Sequence, residues 1–128
     1  MKLVLYSHAV QAGFPSPADD YKEDALSLDE HLIVHPAATY LARATGDSME
    51  GLGIFDHDLL VIDRSLTPNQ GDVIIAAIDG ELTCKQLDIR HQCLLAANSN
   101  YPAIQINEQS LVIEGVVTAS IRYHRQIS

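Results

Sequence analysis

Ser48 is one residue of this chain whose type and surroundings fit covalent chemistry. It lies in residues 45–53, a segment that contains three glycines and directly follows a predicted apolar strand. Glycines let backbone amides approach a bound group closely, so the segment could present Ser48 to a substrate carbonyl and stabilise the oxyanion. The residues expected to support this turn and the oxyanion are Gly46, Asp47 and Met49. The same pattern also fits a turn serine that only caps its neighbours.

Lys85 is the second candidate, because its strand is predicted to be half of a tight hairpin. Asp79-Gly80 between two apolar runs is the strongest short-range signal for a two-residue hairpin. The predicted pairs are Ile78 with Glu81, Ala76 with Thr83, and Ile74 with Lys85. Because side chains alternate across a strand, Lys85 shares its face with Leu87 and Ile89. The pattern therefore places a lysine among apolar side chains.

A lysine in such surroundings can act as a base. At its reference pKa of about 10.4 a lysine is almost fully charged at neutral pH and is a poor base. Burial among apolar groups disfavours the ammonium form, and the neutral amine can then deprotonate a serine hydroxyl. The alternative is that Lys85 extends its amine to solvent from an edge strand.

The elements that must position these two residues are short strands separated by turn signals. A mainly β domain is therefore the predicted fold class. The predicted strands span residues 39–44, 59–63, 73–78, 82–89, 92–96, 104–106 and 111–123. A short helix or turn is expected over residues 28–34, with Ser27 as N-cap and Glu30 three positions on, ending before Pro36.

The first thirty residues differ from the remainder of the chain. Pro15 and Pro17 bias their neighbours toward extended backbone, and an acidic stretch follows them. We expect residues 1–30 to form an extended N-terminal arm and residues 31–128 to form one β-rich domain. A chain of 128 residues is too short for two ordinary domains.

Composition restricts the partners and the location. A formal net charge of -9, from 17 acidic and 8 basic side chains, argues against direct DNA binding. The sequence has no apolar run long enough to span a membrane, and its N-terminal apolar run is too short for a secretion signal. We therefore expect a cytoplasmic protein, with Cys84 and Cys93 as reduced thiols.

Histidines and arginines offer weaker candidates. His57 lies between two aspartates, but its place in a turn predicts solvent exposure rather than a Ser/His/Asp triad. His31 and His35 have helical metal-ligand spacing without an evident third ligand, so no metal and no cofactor is expected. Arg122 and Arg125 are expected to form a solvated strand end with His124.

Beyond these patterns, the chain resembles the self-cleavage domain of the LexA and UmuD superfamily of serine peptidases. Three segments carry the resemblance: ATGDSM at 44–49, GIFDHDLLVID at 53–63 and GDVIIAAIDGELTCKQL at 71–87. The arm, VQAGFPSPADDY at 10–21, is similar to that of the UmuD-like branch. The resemblance implies a compact, signal-peptidase-like β fold with Ser48 as nucleophile and Lys85 as general base. It also implies self-cleavage between Ala12 and Gly13.

The resemblance further implies a role in the DNA-damage (SOS) response. In this family a RecA filament on single-stranded DNA promotes self-cleavage, and the shortened homodimer joins a UmuC-type polymerase to form the translesion DNA polymerase V. The predicted strand at residues 111–117 is a candidate for pairing with a second copy. No helix-turn-helix pattern precedes the implied cleavage site, so a repressor role is disfavoured. The alternative is a non-enzymatic regulatory module that binds the polymerase through its arm.

Overall fold

Short strands joined by turns make up most of the regular secondary structure of the described residues. The computed structural model describes residues 1–7, 9–13, 23–108 and 110–126. Within these ranges the strands are β1 (Leu3–Tyr6), β2 (Glu23–Leu26), β3 (Thr39–Arg43), β4 (Leu59–Asp63), β5 (Val73–Ile78), β6 (Glu81–Asp88), β7 (Cys93–Leu95), β8 (Ile104–Gln105) and β9 (Leu111–Ile121). The mainly β prediction is confirmed, and the strands predicted from residue 39 onward end within two residues of the observed ones.

The helices are short. The α-helix α1 spans Leu28–Leu32, and 3-10 helices span Pro36–Ala38, Glu50–Leu52 and Ile106–Glu108. The predicted helix start is confirmed, because the Ser27 hydroxyl accepts a hydrogen bond from the Glu30 N–H at 3.4 Å. Across the described ranges, no helix has the length and apolar character needed to cross a membrane.

The chain divides into two compact units, Met1–Val34 and His35–Ser128. In the first unit β1 runs antiparallel to β2, with Leu3 opposite Leu26 and Tyr6 opposite Glu23. Part of the predicted arm, residues 14–22 with Pro15 and Pro17, lies outside the described residues. Ala12 and Gly13 belong to the connection between the two strands, and both are exposed.

The second unit contains an antiparallel sheet with the strand order β3-β4-β9-β5-β6-β7-β8. The long strand β9 joins its two halves, because Leu111–Val116 pairs with β5 and Val116–Ile121 pairs with β4. Register shifts at Glu114 and Thr118 mark a β-bulge in each half. Since β5 pairs with one edge of residues 111–116 and β4 pairs with Val116 and Val117 on the other, a second copy could pair only along the edge of residues 111–115 that faces away from β5.

The β5–β6 hairpin has the predicted turn and register. Asp79 and Gly80 both have positive φ angles, 49° and 86°, as a tight two-residue hairpin turn requires. Ile78 lies opposite Glu81, and Ile74 lies opposite Lys85. The hairpin prediction is therefore confirmed, and it fixes which way the Lys85 side chain points.

Buried apolar side chains form two clusters on opposite faces of the sheet. Ile75 belongs to one cluster, whereas its neighbours Ile74 and Ala76 belong to the other, as alternation along β5 requires. The first cluster contains Met49, Ile54, Leu60, Ile62 and Ile75. The second contains Ile74, Ala76, Leu87, Leu94 and Val116. Because Met49 is in the first cluster, the residue next to it, Ser48, is anchored to the core.

Candidate active site

Ser48 and Lys85 meet in a cavity of about 360 Å³. The Lys85 Nζ donates a hydrogen bond to the Ser48 Oγ at 3.1 Å, although the two residues are 37 positions apart. Ser48 comes from the turn that follows β3, and Lys85 comes from β6. The cavity wall is formed by parts of β3, β4, β5 and β6, by the turn at 44–49, and by Ile54 and Tyr101. The two residues predicted to do chemistry are thus in direct contact.

Lys85 is buried, with only 9% of its surface exposed. Its strand partner Ile74 and its same-face neighbour Leu87 are also buried. Its amine makes a second hydrogen bond, at 3.1 Å, to the Cys84 carbonyl. Burial holds the pKa of Lys85 below its ordinary value, and the nearby Cys84 opposes this shift only in part. The alternative of an amine extended to solvent is wrong, because Lys85 is buried and its amine bonds to the Ser48 hydroxyl and the Cys84 carbonyl. The strand β7 pairs with β6 only at Gln86–Asp88, so burial of Lys85 does not depend on that pairing.

The turn that carries Ser48 is held from both sides. Gly46 has a positive φ of 87°, and its N–H donates to the Asp56 Oδ1 at 2.9 Å. Met49 is buried in the core, with 3% of its surface exposed. Within the described residues, the N–H groups of Asp47, Ser48 and Met49 donate to no acceptor. These three amides are therefore available as donors near the Ser48 hydroxyl.

A loop after β7 holds the same turn. The Ala97 N–H donates to the Ser48 carbonyl at 2.7 Å, and the Gly51 N–H donates to the Ala97 carbonyl at 3.0 Å. The Asn98 side chain donates to the Asp47 carbonyl at 3.3 Å. We name this loop, residues 97–101, the strap.

Tyr101, the last residue of the strap, contacts both sides of the cavity. Its hydroxyl donates to the Asp47 Oδ1 at 2.6 Å, and its ring centre lies 6.0 Å from the Lys85 Nζ. Sequence reasoning missed the strap entirely. The run of turn-forming residues at 98–102 predicts a loop, but nothing in that run indicates which distant turn the loop contacts.

Arg122 also supports the region around the nucleophile. Its guanidinium donates to the carboxylate of the buried Asp58 at 3.3 and 3.4 Å and to the Gly53 carbonyl at 2.8 Å. It also stacks over the Phe55 ring at 3.7 Å. Arg122, His124 and Arg125 are exposed just after the end of β9, as predicted for a solvated strand end. The sequence did not predict that Arg122 would also join this end of the chain to the turn at 53–58. That turn includes Asp56, the acceptor for the Gly46 N–H.

The histidines do not contribute to the cavity lining in the described structure. His57 is 81% exposed at its side chain and pairs with Asp56 at 3.2 Å, so it forms no triad with Ser48. His35 contacts the buried Asp63 at 2.6 Å, and His31 is exposed at the end of α1. No group of three or more potential metal ligands occurs in the part of the chain that the structure describes.

Comparisons with known proteins agree with the resemblance in the sequence. The family model described as Peptidase S24-like matches residues 4–118, a span that includes Ala12, Gly13, Ser48 and Lys85. Protein SamA of Salmonella typhimurium is 46% identical over 122 residues, covering 94% of this chain and 86% of SamA. Protein MucA of Escherichia coli is 43% identical over 123 residues, covering 94% and 84%. The LexA repressor of Acidithiobacillus ferrooxidans is 39% identical over 119 residues, covering 88% of this chain and 58% of the repressor.

Proposed function

Because this chain belongs to the Peptidase S24-like family, as a UmuD-like member of the LexA and UmuD superfamily, we propose that it cuts its own backbone between Ala12 and Gly13. The family is one of self-cleaving serine peptidases. In the proposed reaction Ser48 is the nucleophile and Lys85 is the general base. The matched span includes the proposed cleavage site as well as both proposed catalytic residues.

The observation that carries this proposal is the 3.1 Å contact between the Lys85 Nζ and the Ser48 Oγ. This is the distance that proton transfer to a general base requires. Burial lowers the pKa of Lys85, so the neutral amine that can accept the proton is more populated than on an exposed lysine. Both halves of a serine-lysine mechanism, contact and desolvation, are therefore supported.

In the first step the neutral Lys85 amine takes the Ser48 proton as the Oγ attacks the carbonyl carbon of Ala12. A tetrahedral intermediate forms, and its oxyanion needs donors that are already oriented. The Asp47, Ser48 and Met49 N–H groups, which have no acceptor within the described residues, are suited to this role. Gly46, whose N–H is bonded to Asp56, would support the turn rather than the oxyanion.

Collapse of the intermediate breaks the bond between Ala12 and Gly13. The Lys85 ammonium returns its proton to the departing Gly13 nitrogen, which leaves Ala12 joined to Ser48 as an ester. The neutral amine then takes a proton from a water molecule whose oxygen attacks the ester. As the ester bond breaks, the Lys85 ammonium gives this proton to the Ser48 Oγ, and residues 1–12 are left with a free carboxyl group at Ala12. Because substrate and catalyst share one assembly, orientation replaces substrate binding and can supply effective molarities on the order of 10⁵ M or more.

The proposed setting is the SOS response. Similarity to the LexA repressor and to MucA and SamA supports a role among damage-induced, self-cleaving proteins. We include in the proposal that a RecA filament on single-stranded DNA promotes the cut. The shortened chain, as a cytoplasmic homodimer, would then bind a UmuC-type translesion polymerase.

The decisive experiment is mass spectrometry of the purified protein incubated at alkaline pH, where more Lys85 is neutral. The proposal predicts a fragment that begins at Gly13. Ser48→Ala and Lys85→Ala should each abolish it, because one removes the nucleophile and the other the base. Ser65→Ala is the matched control, since Ser65 bonds to Asp63 and is not among the residues that line the cavity.

The experiment also separates the proposal from a non-enzymatic binding module. A module would yield no Gly13 fragment at any pH, with or without a RecA filament. A fragment that persists in Ser48→Ala would indicate a contaminating protease and would remove the support for self-cleavage.

A further inference from the structure

The cavity contains two groups of opposite charge that could pair with each other. Asp47 is the residue before Ser48, and among the described residues that line the cavity it is the only one with a carboxylate. Lys85 provides the amine on the opposite wall. An opposite charge a few Å from an amine favours the ammonium form. A pair between Asp47 and Lys85 would therefore weaken the proposed base.

The described structure does not contain this pair. The hydrogen bonds of the Lys85 amine go to the Ser48 hydroxyl and the Cys84 carbonyl, both at 3.1 Å. The four ion pairs found among the described residues all involve other side chains. Something must direct the Asp47 carboxylate elsewhere.

Tyr101 is the residue that binds this carboxylate. Its hydroxyl donates to the Asp47 Oδ1 at 2.6 Å, a short hydrogen bond to a charged acceptor and thus among the stronger kinds. The ring of Tyr101 faces the Lys85 amine, and its centre lies 6.0 Å from the Lys85 Nζ. One side chain thus contacts both members of the pair that does not form.

The surroundings of Tyr101 favour the protonated hydroxyl, the form that can donate to Asp47. Its hydrogen bond to Asp47 and the negative charge of that carboxylate raise the pKa of Tyr101, and Glu50 adds a smaller effect in the same direction. Ionisation would remove the bond and place two negative charges together. The pKa of Tyr101 is thus raised while burial lowers the pKa of Lys85, and both shifts favour a Tyr101 hydroxyl that is still protonated as Lys85 loses its proton.

The other charged or titratable groups at the cavity do not take over this role. Arg43 is a cation and cannot pair with an ammonium. Burial raises the pKa of the Cys84 thiol to about 11, so it is neutral at physiological pH. The charge balance around Lys85 thus depends on where the Asp47 carboxylate points.

Taking the proposed function as the premise, we propose that Tyr101 is a positioning residue. Its hydroxyl holds the Asp47 carboxylate so that it does not pair with the Lys85 amine, which stays free to act on Ser48.

The test compares pH-rate profiles of self-cleavage for the full chain and three variants. Tyr101→Phe removes the hydroxyl and keeps the ring, so the released carboxylate should move the profile to higher pH. An opposite charge near a titrating group shifts the pKa of that group by a unit or more. The cleavage rate of Tyr101→Phe at pH 7 should therefore be about tenfold below that of the wild type, and the two rates should converge at high pH. In Tyr101→Phe/Asp47→Asn the carboxylate is gone, and the midpoint should return to the wild-type value.

Asn98→Ala is the matched control, because it removes another hydrogen bond to Asp47 without freeing the carboxylate. A purely structural effect would slow cleavage equally at every pH and leave the midpoint unchanged. If Tyr101→Phe behaves in that way, or if the double variant is slower still with an unrestored midpoint, the inference about Tyr101 is overturned.

A second measurement is independent of cleavage. NMR titration of the Lys85 side chain in a Ser48→Ala background should give a higher midpoint when Tyr101→Phe is added, and an equal midpoint would contradict the inference. Failure of the proposed function looks different, since the wild-type chain would then give no Gly13 fragment at any pH.

Discussion

The backbone N–H of Ala97 donates a 2.7 Å hydrogen bond to the carbonyl of Ser48. The Ala97 carbonyl in turn accepts the Gly51 N–H at 3.0 Å, so one residue of the strap bonds to the serine itself and to the chain three residues after it. Because both bonds use the backbone, the contact depends on how closely two chain segments approach rather than on any side chain. Even one added methyl group where these two segments meet should therefore displace the turn that carries Ser48.

Gly51→Ala is expected to impair self-cleavage without unfolding the protein. A Cβ at Gly51 would lie 2.4 Å from the Ala97 carbonyl oxygen, a backbone atom that cannot move alone. The strap must shift, and a displacement of about 1 Å at a reacting group can cost roughly a hundredfold in rate. The measurement is the rate of appearance of the Gly13 fragment, with a thermal melt to verify folding.

Gly80→Ala is the matched glycine control. A Cβ there meets nothing within 4 Å, although its φ of 86° disfavours alanine. This variant should lose stability but cleave normally while folded. Wild-type cleavage by Gly51→Ala would show that the strap does not position Ser48.

Lys85→Met is expected to stabilise the fold at neutral pH while abolishing cleavage. The pKa of Lys85 is lower in the folded protein than in the unfolded chain, so the unfolded chain binds more protons between the two values. Stability of the lysine form is thus lowest below the folded pKa and rises with pH toward the unfolded value of about 10.4. Methionine removes this cost, which should raise the Tm at pH 7 by a few degrees.

The Lys85→Met comparison belongs in a Ser48→Ala background, so that no cleavage alters the melt. The advantage of methionine should shrink as the pH approaches 10. The exposed Lys2 provides the control, because Lys2→Met should not change the Tm. A Tm for Lys85→Met below that of the lysine form at pH 7 would contradict a desolvated amine.

Arg122→Ala is expected to destabilise the second unit at neutral pH. Burial alone would raise the pKa of Asp58, but the Phe55 N–H and Arg122 more than offset it, and the net pKa is lowered. Removing Arg122 leaves a carboxylate that is 2% exposed without its cation. A fully enclosed pair broken in this way costs about 3–5 kcal/mol, and the partly exposed Arg122 reduces our expectation to about 1–2 kcal/mol.

This effect has a defined pH dependence. The stabilisation from Asp58 is complete above its unfolded pKa of about 3.9 and is lost as the pH falls through its folded value. Urea unfolding at pH 7 and in acid should therefore show a gap between wild type and Arg122→Ala that narrows in acid. Arg125→Ala, at an exposed position, serves as the control. An equal effect of both variants at pH 7 would contradict the assigned role of Arg122.

Cys84 is expected to resist alkylation in the folded protein. Burial raises its pKa to about 11, and the Lys85 charge opposes this only in part. Since the thiolate is the reactive form, iodoacetamide at pH 8 should modify Cys84 at least about a hundredfold more slowly than an ordinary thiol. Mass spectrometry with and without denaturant measures this, and rapid labelling of the native form would contradict the burial of the thiol.

Local patterns predicted the strands and the hairpin register well. Asp79-Gly80 specifies a tight turn by itself, and the alternation along β6 then places Lys85 on an apolar face. These features depend on neighbours within a few residues, for which turn chemistry and side-chain period are sufficient. The contact of Lys85 with Ser48 could not be derived this way, and its expectation came from family resemblance.

Polar contacts between residues far apart in the chain could not be predicted from local sequence patterns. The Tyr101–Asp47 bond spans 54 positions and the Arg122–Asp58 pair spans 64. Neither has a periodic signature, because each depends on how loops from separate strands pack against one another. The pairing of β1 with β2 was missed for a related reason, since the apolar run of β1 is short and its partner strand, Glu23–Leu26, is partly acidic.

Because β1 pairs with β2, cutting the backbone between Ala12 and Gly13 would not by itself detach residues 1–12 from the protein. Ala12 and Gly13 lie in the connection between these two strands, so hydrolysis there would produce a nicked hairpin whose halves are still joined by backbone hydrogen bonds. Denaturing gels would register the nick at once, whereas native mass spectrometry would retain the short peptide until the strands melt apart. The rate at which the shortened chain becomes active would then equal the rate at which the cut peptide dissociates from β2. A high concentration of free peptide would slow activation, because the peptide would rebind.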